Sequence, residues 1–155
     1  MNPVLRAVFR APAKLYDRNL GWLLGKRFLC VTHVGRKSGR QYRTVLEVIG
    51  LRPAADEVLV IAGLGASSDW YRNIQAAPAA EVAIGRRTFV PEHRVLDQPE
   101  ALAAITDYER RNILLRPVLR PVLTKLLGWR YDGSVEARRR LVAQLPIIAF
   151  HPRAA

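Results

Sequence analysis

The stretch Thr32-His33-Val34-Gly35-Arg36-Lys37-Ser38-Gly39-Arg40-Gln41-Tyr42-Arg43-Thr44-Val45 places four cations, Arg36, Lys37, Arg40 and Arg43, within eight residues and with no acid among them. Guanidinium and ammonium groups in such a cluster bind phosphate or carboxylate through charge-assisted hydrogen bonds, each contributing roughly 1.5–3 kcal/mol. Gly35 and Gly39 bracket the cluster, while Ser38 and the Gly39 amide are small donors that let an anion approach the backbone. A P-loop is excluded, because Lys37-Ser38 lacks the Gly-x-x-x-x-Gly-Lys-Ser/Thr spacing and leads into a strand-like segment rather than a helix.

A second feature suited to binding is Ala62-Gly63-Leu64-Gly65-Ala66, which follows the apolar run Glu57–Ala62 and has almost no side chain for a flat ligand to displace. Ser67, Ser68 and Asp69 then offer N-caps for a short helix through Trp70, Tyr71, Asn73 and Ile74, closed by Pro78, whose first amides favour an anion. Tyr108, Tyr131 and Ser68 are candidate proton donors. His33, His93 and His151 are dispersed, with no HExxH and no Cys/His cluster, so no metal centre is expected. Glu47 and Asp69 do not form an evident carboxylate pair, and Asp69 reads as an N-cap or an arginine partner. The single cysteine, Cys30, falls in a predicted strand and reads as a buried structural thiol.

These groups need a scaffold, and the pattern supplies one. Phe28–Val31 and Thr44–Ile49 flank the cationic turn as the arms of a hairpin, and Glu57–Ala62 is a buried strand. Residues 81–90 form a second hairpin turning at Gly85-Arg86, with Glu92–Leu96 extending it. Helices come late. Asp97-Gln98-Pro99-Glu100 has capping-box spacing before Ala101, Leu102, Ile105 and Tyr108. The segment from Ile113 to Leu127 is strongly apolar, carries Arg116, Arg120 and Lys125, and is interrupted by Pro117 and Pro121; its default reading is a buried packing helix, with capping of the active-site mouth or contact with lipid as the alternatives. Ser134 caps a helix to Gln144, and Pro146–Phe150 gives a closing strand.

With 155 residues, half of them hydrophobic, the chain reads as one domain, 1–155, able to form a core without staples. The net charge of +12 is concentrated at the start, where residues 1–43 hold ten Lys or Arg against Asp17 alone. Over 1–24, Arg6, Arg10, Lys14 and Arg18 recur every fourth residue beside Val4, Leu5, Val8, Phe9, Leu15 and Tyr16, a basic amphipathic helical region broken at Pro12. This region suits packing on the domain or an anionic membrane surface. No run approaches the roughly 20 residues of a membrane span, and no signal-peptide core stands out. A cytoplasmic location is expected, compatible with peripheral attachment at the inner face of the cell membrane. Nucleic-acid binding is disfavoured, since the basic residues of the hairpin are not interleaved with aromatics as a stacking platform requires.

Taken in order, Gly35-Arg36-Lys37-Ser38-Gly39 with Arg43-Thr44, then Gly63-x-Gly65-Ala66, Asp69-Trp70-Tyr71-x-Asn73 and Pro78, resemble the deazaflavin-dependent nitroreductase and quinone reductase family from about Leu15 to Phe150. The resemblance implies an α+β fold, a split β-barrel of the flavin-reductase type over 25–150 with peripheral helices. It also implies hydride transfer from reduced coenzyme F-420, with FMN a weaker choice, to a small hydrophobic acceptor: a quinone, a nitroaromatic or an unsaturated lipid-like molecule. By the same resemblance Arg36, Lys37, Ser38 and Arg43 hold the cofactor's phosphate and acidic tail. Thr44, Val45 and the loop Ala62, Gly63, Leu64, Gly65 and Ala66 line its ring, braced by Trp70 and Asn73. Many family members carry a lysine before the glycine pair, where this chain has only Ala62, Gly63 and Leu64. The alternative function is a non-catalytic flavin- or lipid-binding barrel.

Overall fold

The computed structural model describes residues 25–154; the basic amphipathic region expected over 1–24 lies outside them. Seven strands form one antiparallel sheet: β1 (Phe28–Val34), β2 (Gln41–Arg52), β3 (Glu57–Ile61), β4 (Glu81–Ile84), β5 (Arg87–Phe89), β6 (Pro91–Val95) and β7 (Ile147–Pro152). Their order across the sheet is β5-β4-β1-β2-β3-β7-β6, and the sheet curls into a nearly closed split barrel. Four helices accompany it: α1 (Asp69–Ala76), α2 (Gln98–Arg111), α3 (Arg116–Leu127) and α4 (Val135–Gln144).

Both expected hairpins are present. Val34 pairs with Gln41 at the mouth of the first, and Ile84 with Arg87 at the second, where Gly85 adopts φ +58°. The segment after the second hairpin departs from expectation. β6 does not extend β5; it pairs with β7 at the far edge of the sheet, Val95 opposite Ile148. The alternation of side chains permits this, because a strand with one apolar face can join whichever edge leaves that face covered.

Strand alternation divides the core into two layers. Leu29, Val31, Leu46, Val58, Val60, Ile148 and Phe150 point into the barrel, where Trp70 and Ile74 of α1 plug the interior. Leu59, Ile147 and Ala149, on the opposite faces of β3 and β7, pack beneath α2, α3 and α4 through Ile105, Leu123 and Leu141. β3 and β7 are thus buried on both sides, which is why they read as continuous apolar runs. In β2 the ladder shifts register between Val48 and Gly50, and Ile49 at the shift packs with the helix layer. The Ile49 carbonyl accepts a hydrogen bond from Arg111 Nη2 at 2.5 Å.

The caps follow the sequence in part. Asp97 Oδ1 accepts from the Glu100 amide, and Ser134 Oγ from the Ala137 amide. The Glu100 carboxylate does not complete a capping box; it takes Arg94 at 2.6 Å, and Arg94 also binds buried Glu57. The segment at Ile113–Leu127 is a 3₁₀ turn (Ile113–Leu115) followed by α3, and it is not the buried packing helix expected. Only Leu123 and Leu127 of α3 are buried. Among the described residues no helix is long and apolar enough to cross a membrane.

Under α2 and α4, buried Glu109 accepts from the Tyr131 hydroxyl and forms a 2.7 Å ion pair with Arg138. Replacing Arg138 with Met strands that carboxylate in the core. The expected loss is about 3–5 kcal/mol of folding free energy, read from urea denaturation midpoints at constant m-value.

Candidate functional site

The cationic turn is braced from within. The Gly35 amide donates to the Arg40 carbonyl at 2.8 Å and the Gly39 amide to the Gly35 carbonyl at 2.9 Å, with Gly39 at φ +70°. The turn folds so closely over Gly35 that a Cβ there would stand 2.6 Å from Ser38 Oγ and 2.8 Å from the Tyr42 ring. This closure corrects one expectation, since the Gly39 amide is spent inside the turn and does not face an anion. Ser38 Oγ accepts from the Arg40 amide and bonds the Tyr42 hydroxyl at 3.2 Å. Lys37, Arg40 and Arg43 stand exposed.

Arg36 is placed differently from its neighbours. Its backbone amide and its Nη1 both donate to Asn73 Oδ1, at 3.1 and 2.8 Å, and its Nη2 reaches Asp69 at 3.3 Å. The cationic cluster therefore does have an acid nearby, supplied by α1 from 33 residues further along the chain. Asp69 is an arginine partner and not an N-cap. Ser68, at the N-cap position of α1, makes no side-chain cap and instead donates to the Gly65 carbonyl at 2.6 Å. The first amides of α1 are thus left without a side-chain cap, next to Arg36.

Asn73 links this assembly to the barrel. Two donors from Arg36 converge on its Oδ1, so its Nδ2 must be the group that faces His33 Nδ1 at 3.0 Å. An amide nitrogen only donates, hence His33 Nδ1 accepts and its Nε2–H donates to Thr44 Oγ1 at 2.9 Å. Burial pushes the His33 ring below its ordinary value near 6.5, only partly countered by Asp69, and the ring also stacks on Tyr42. The neutral imidazole is the form that this chain of bonds accepts.

The glycine loop consists of two successive turns, with the Gly65 amide on the Ala62 carbonyl and the Ser68 amide on the Gly65 carbonyl. Gly65 adopts φ +84°, and Leu64 is exposed. The structure thus brings the cationic turn, the start of α1 and, through Ser68, the glycine loop into one assembly. It separates Thr44 from Val45: alternation aims Thr44 at His33, on the face that holds Leu46, and turns Val45 to the opposite face. Trp70 is buried in the barrel core, behind the loop rather than on its surface.

The three candidate proton donors are already engaged. Tyr108 donates to Glu47 at 2.6 Å and Tyr131 to Glu109, and burial together with these carboxylates raises both phenols far above their ordinary value. Ser68 bonds Gly65, as above. Two cavities lie apart from the assembly. One, of about 200 Å³, is lined by Arg27, Glu47, Tyr108 and Arg111, and the other, of about 480 Å³, by Arg120, Lys125, Arg130 and Tyr131. The cationic turn is an open surface rather than an enclosed cavity.

The family model of the F420H(2)-dependent quinone reductases matches residues 8–107, which is most of the chain. The chain belongs to this family. It is an oxidoreductase, its activity is that of an F420-dependent reductase, and reduced F420 is its cofactor. Membership sets aside the alternative of a non-catalytic carrier. No curated protein matches the chain. Among solved structures, an F420-H2 dependent reductase, FDR-A, is 17% identical with a TM-score of 0.50, over 82% of this chain and 96% of its own. The protein Atu2129 of Agrobacterium tumefaciens str. C58, described as of unknown function, is 14% identical with a TM-score of 0.52. That alignment spans 86% of this chain and 51% of Atu2129. At such identities these two show the shared fold.

The reductase's His33 has a lowered folded value, so the unfolded chain takes up the proton first as pH falls. The stability conferred by neutral His33 is therefore full above about pH 6.5 and is lost as pH drops through the folded value. Urea midpoints measured from pH 7.5 to 5 are expected to fall. His33→Gln should flatten that fall, leaving the part due to His93, whose ring burial also lowers.

Proposed function

We propose that the cationic turn and the glycine loop together hold F420 and present it to a hydrophobic acceptor, a quinone first, with nitroaromatics and unsaturated lipid-like molecules of the same reach. The observation that carries this is the fastening of Arg36 to α1: it sets a cluster of cations beside an uncapped helix start and a loop nearly bare of side chains. Lys37, Ser38 and Arg43 receive the phosphate and acidic tail. Arg36 joins them with its remaining donors, because the 3.3 Å bond to Asp69 is long and the Asp69 side chain is 84% exposed. Asn73 acts from behind, by orienting Arg36.

The ring lies against Ala62, Gly63, Leu64, Gly65 and Ala66 and the backbone at Thr44 and Val45. Trp70 supports the loop from within the barrel. These residues suit the group, since a planar ring needs close backbone approach and a polyanionic tail needs open, cationic surface. When bound, the reduced deazaflavin supplies a hydride. The chain's part is to position the ring and to leave the proton that the acceptor also takes to come from solvent, because Tyr108, Tyr131 and Ser68 are all engaged.

A fluorescence titration with F420, run beside FMN, tests the assembly. Lys37→Ala combined with Arg43→Ala should weaken F420 binding by about a hundredfold or more, since each lost charge-assisted bond contributes roughly 1.5–3 kcal/mol, while circular dichroism shows the native fold. Unchanged affinity would refute the grip. Asp69→Asn removes the competing carboxylate and should tighten F420 binding up to about fivefold, the range of an exposed ion pair. Turnover of a soluble quinone, a nitroaromatic and an enone by the same preparation ranks the acceptors.

A further inference from the structure

Helix α3 inverts the usual arrangement of a surface helix. Its solvent side carries Pro117, Val118, Pro121, Val122 and Lys125, which fall on one stripe at 3.6 residues per turn. Leu114, in the preceding 3₁₀ turn, is 91% exposed, and Val118 is 65% exposed. No acid occurs from Ile113 to Tyr131, whereas Arg116, Arg120, Lys125 and Arg130 all do. Arg116 and Arg120 are half-buried, and Arg120, Lys125 and Arg130 gather around the larger cavity. Leu126, exposed one turn beyond Val122 at the edge of the stripe, borders the glycine loop: a Cβ on Gly63 would stand 4.0 Å from Leu126 Cδ1.

An apolar stripe of this extent on a charged surface requires a covering partner. Its chemistry selects one. The stripe calls for hydrocarbon and the cations call for fixed negative charge, and an anionic phospholipid bilayer offers both in adjacent layers. A second copy of this chain would instead set four further cations against these four. We propose that the turn at Ile113–Leu115 and helix α3 form a docking surface for an anionic bilayer. The helix lies in the interface plane with Leu114, Val118 and Val122 among the acyl chains, and its arginines and lysine extend to the phosphates. Docked in this way, the protein turns the Gly63–Gly65 loop toward lipid, so that a lipid-soluble acceptor reaches the ring wall without crossing water. This consequence rests on the proposed function; the docking does not.

The test is co-sedimentation of the full chain with vesicles of phosphatidylglycerol or of phosphatidylcholine, with F420 titrations run in parallel. The native chain should pellet with phosphatidylglycerol alone, and less so as salt rises. The triple variant Leu114→Ser, Val118→Ser, Val122→Ser should lose roughly tenfold or more in vesicle affinity. The pair Lys125→Glu, Arg130→Glu should lose about fivefold or more per site. All these side chains are exposed, so the variants should melt with the native chain. F420 affinity should stay unchanged throughout, which separates failure of docking from failure of the cofactor assignment. Equal vesicle binding by native and triple variant would overturn the proposal, as would no binding by the native chain. A native dimer made monomeric by the triple substitution would reassign the stripe to self-association and equally overturn it.

Discussion

Asn73 has one amide group and is buried to 4% exposure, and a buried amide must find partners for both its oxygen and its nitrogen or cost the fold the full desolvation of each. It does so by reaching in two directions. Its oxygen takes the backbone and side chain of Arg36, and its nitrogen takes His33, which in turn takes Thr44. Satisfying this one amide therefore fixes where α1 sits on the barrel, how the first hairpin ends, which imidazole tautomer His33 adopts and which way Arg36 points. The candidate site is assembled around that requirement.

The same economy governs the charges. The chain has 25 cations and 13 acids, and the buried acids occupy structural positions: Glu57 with Arg94, and Glu109 with Arg138 and Tyr131. Glu47 is drawn to Tyr108, and Asp69 to Arg36. With so many carboxylates committed to joining elements, the surplus positive charge stands on the outer surface, along the hairpin turn and along α3. Cofactor grip and proposed membrane contact are two uses of one imbalance.

Rigidity comes from the layered core. β3 and β7 are packed on both faces, by the barrel interior on one side and by α2, α3 and α4 on the other. The glycine loop leaves the end of β3, and the Ala62 amide bonds the Pro146 carbonyl just before β7. A loop almost without side chains thus has fixed ends, which is what a planar ligand needs from a wall that offers it mainly backbone.

What the sequence by itself determined is local. The Gly35 and Gly39 positions, the period-two runs and the residues before Glu100 and Ala137 announce both hairpins and two helix starts, because a turn or a cap is settled by residues a few places apart. The order of the cationic turn, the glycine pair and the aromatic helix also points to the family. Tertiary structure alone decided the rest. Nothing near Arg36 in the chain predicts that Asp69 and Asn73 will meet it, nor does alternation within β6 reveal that its partner is β7. The register shift at Ile49 is equally invisible, and so is the choice between a buried and a solvent-facing apolar side of α3, because each depends on which surfaces are left to be covered once the whole chain has closed on itself. Short-range pattern selects conformations, whereas burial and the pairing of distant polar groups select among the ways those conformations can pack.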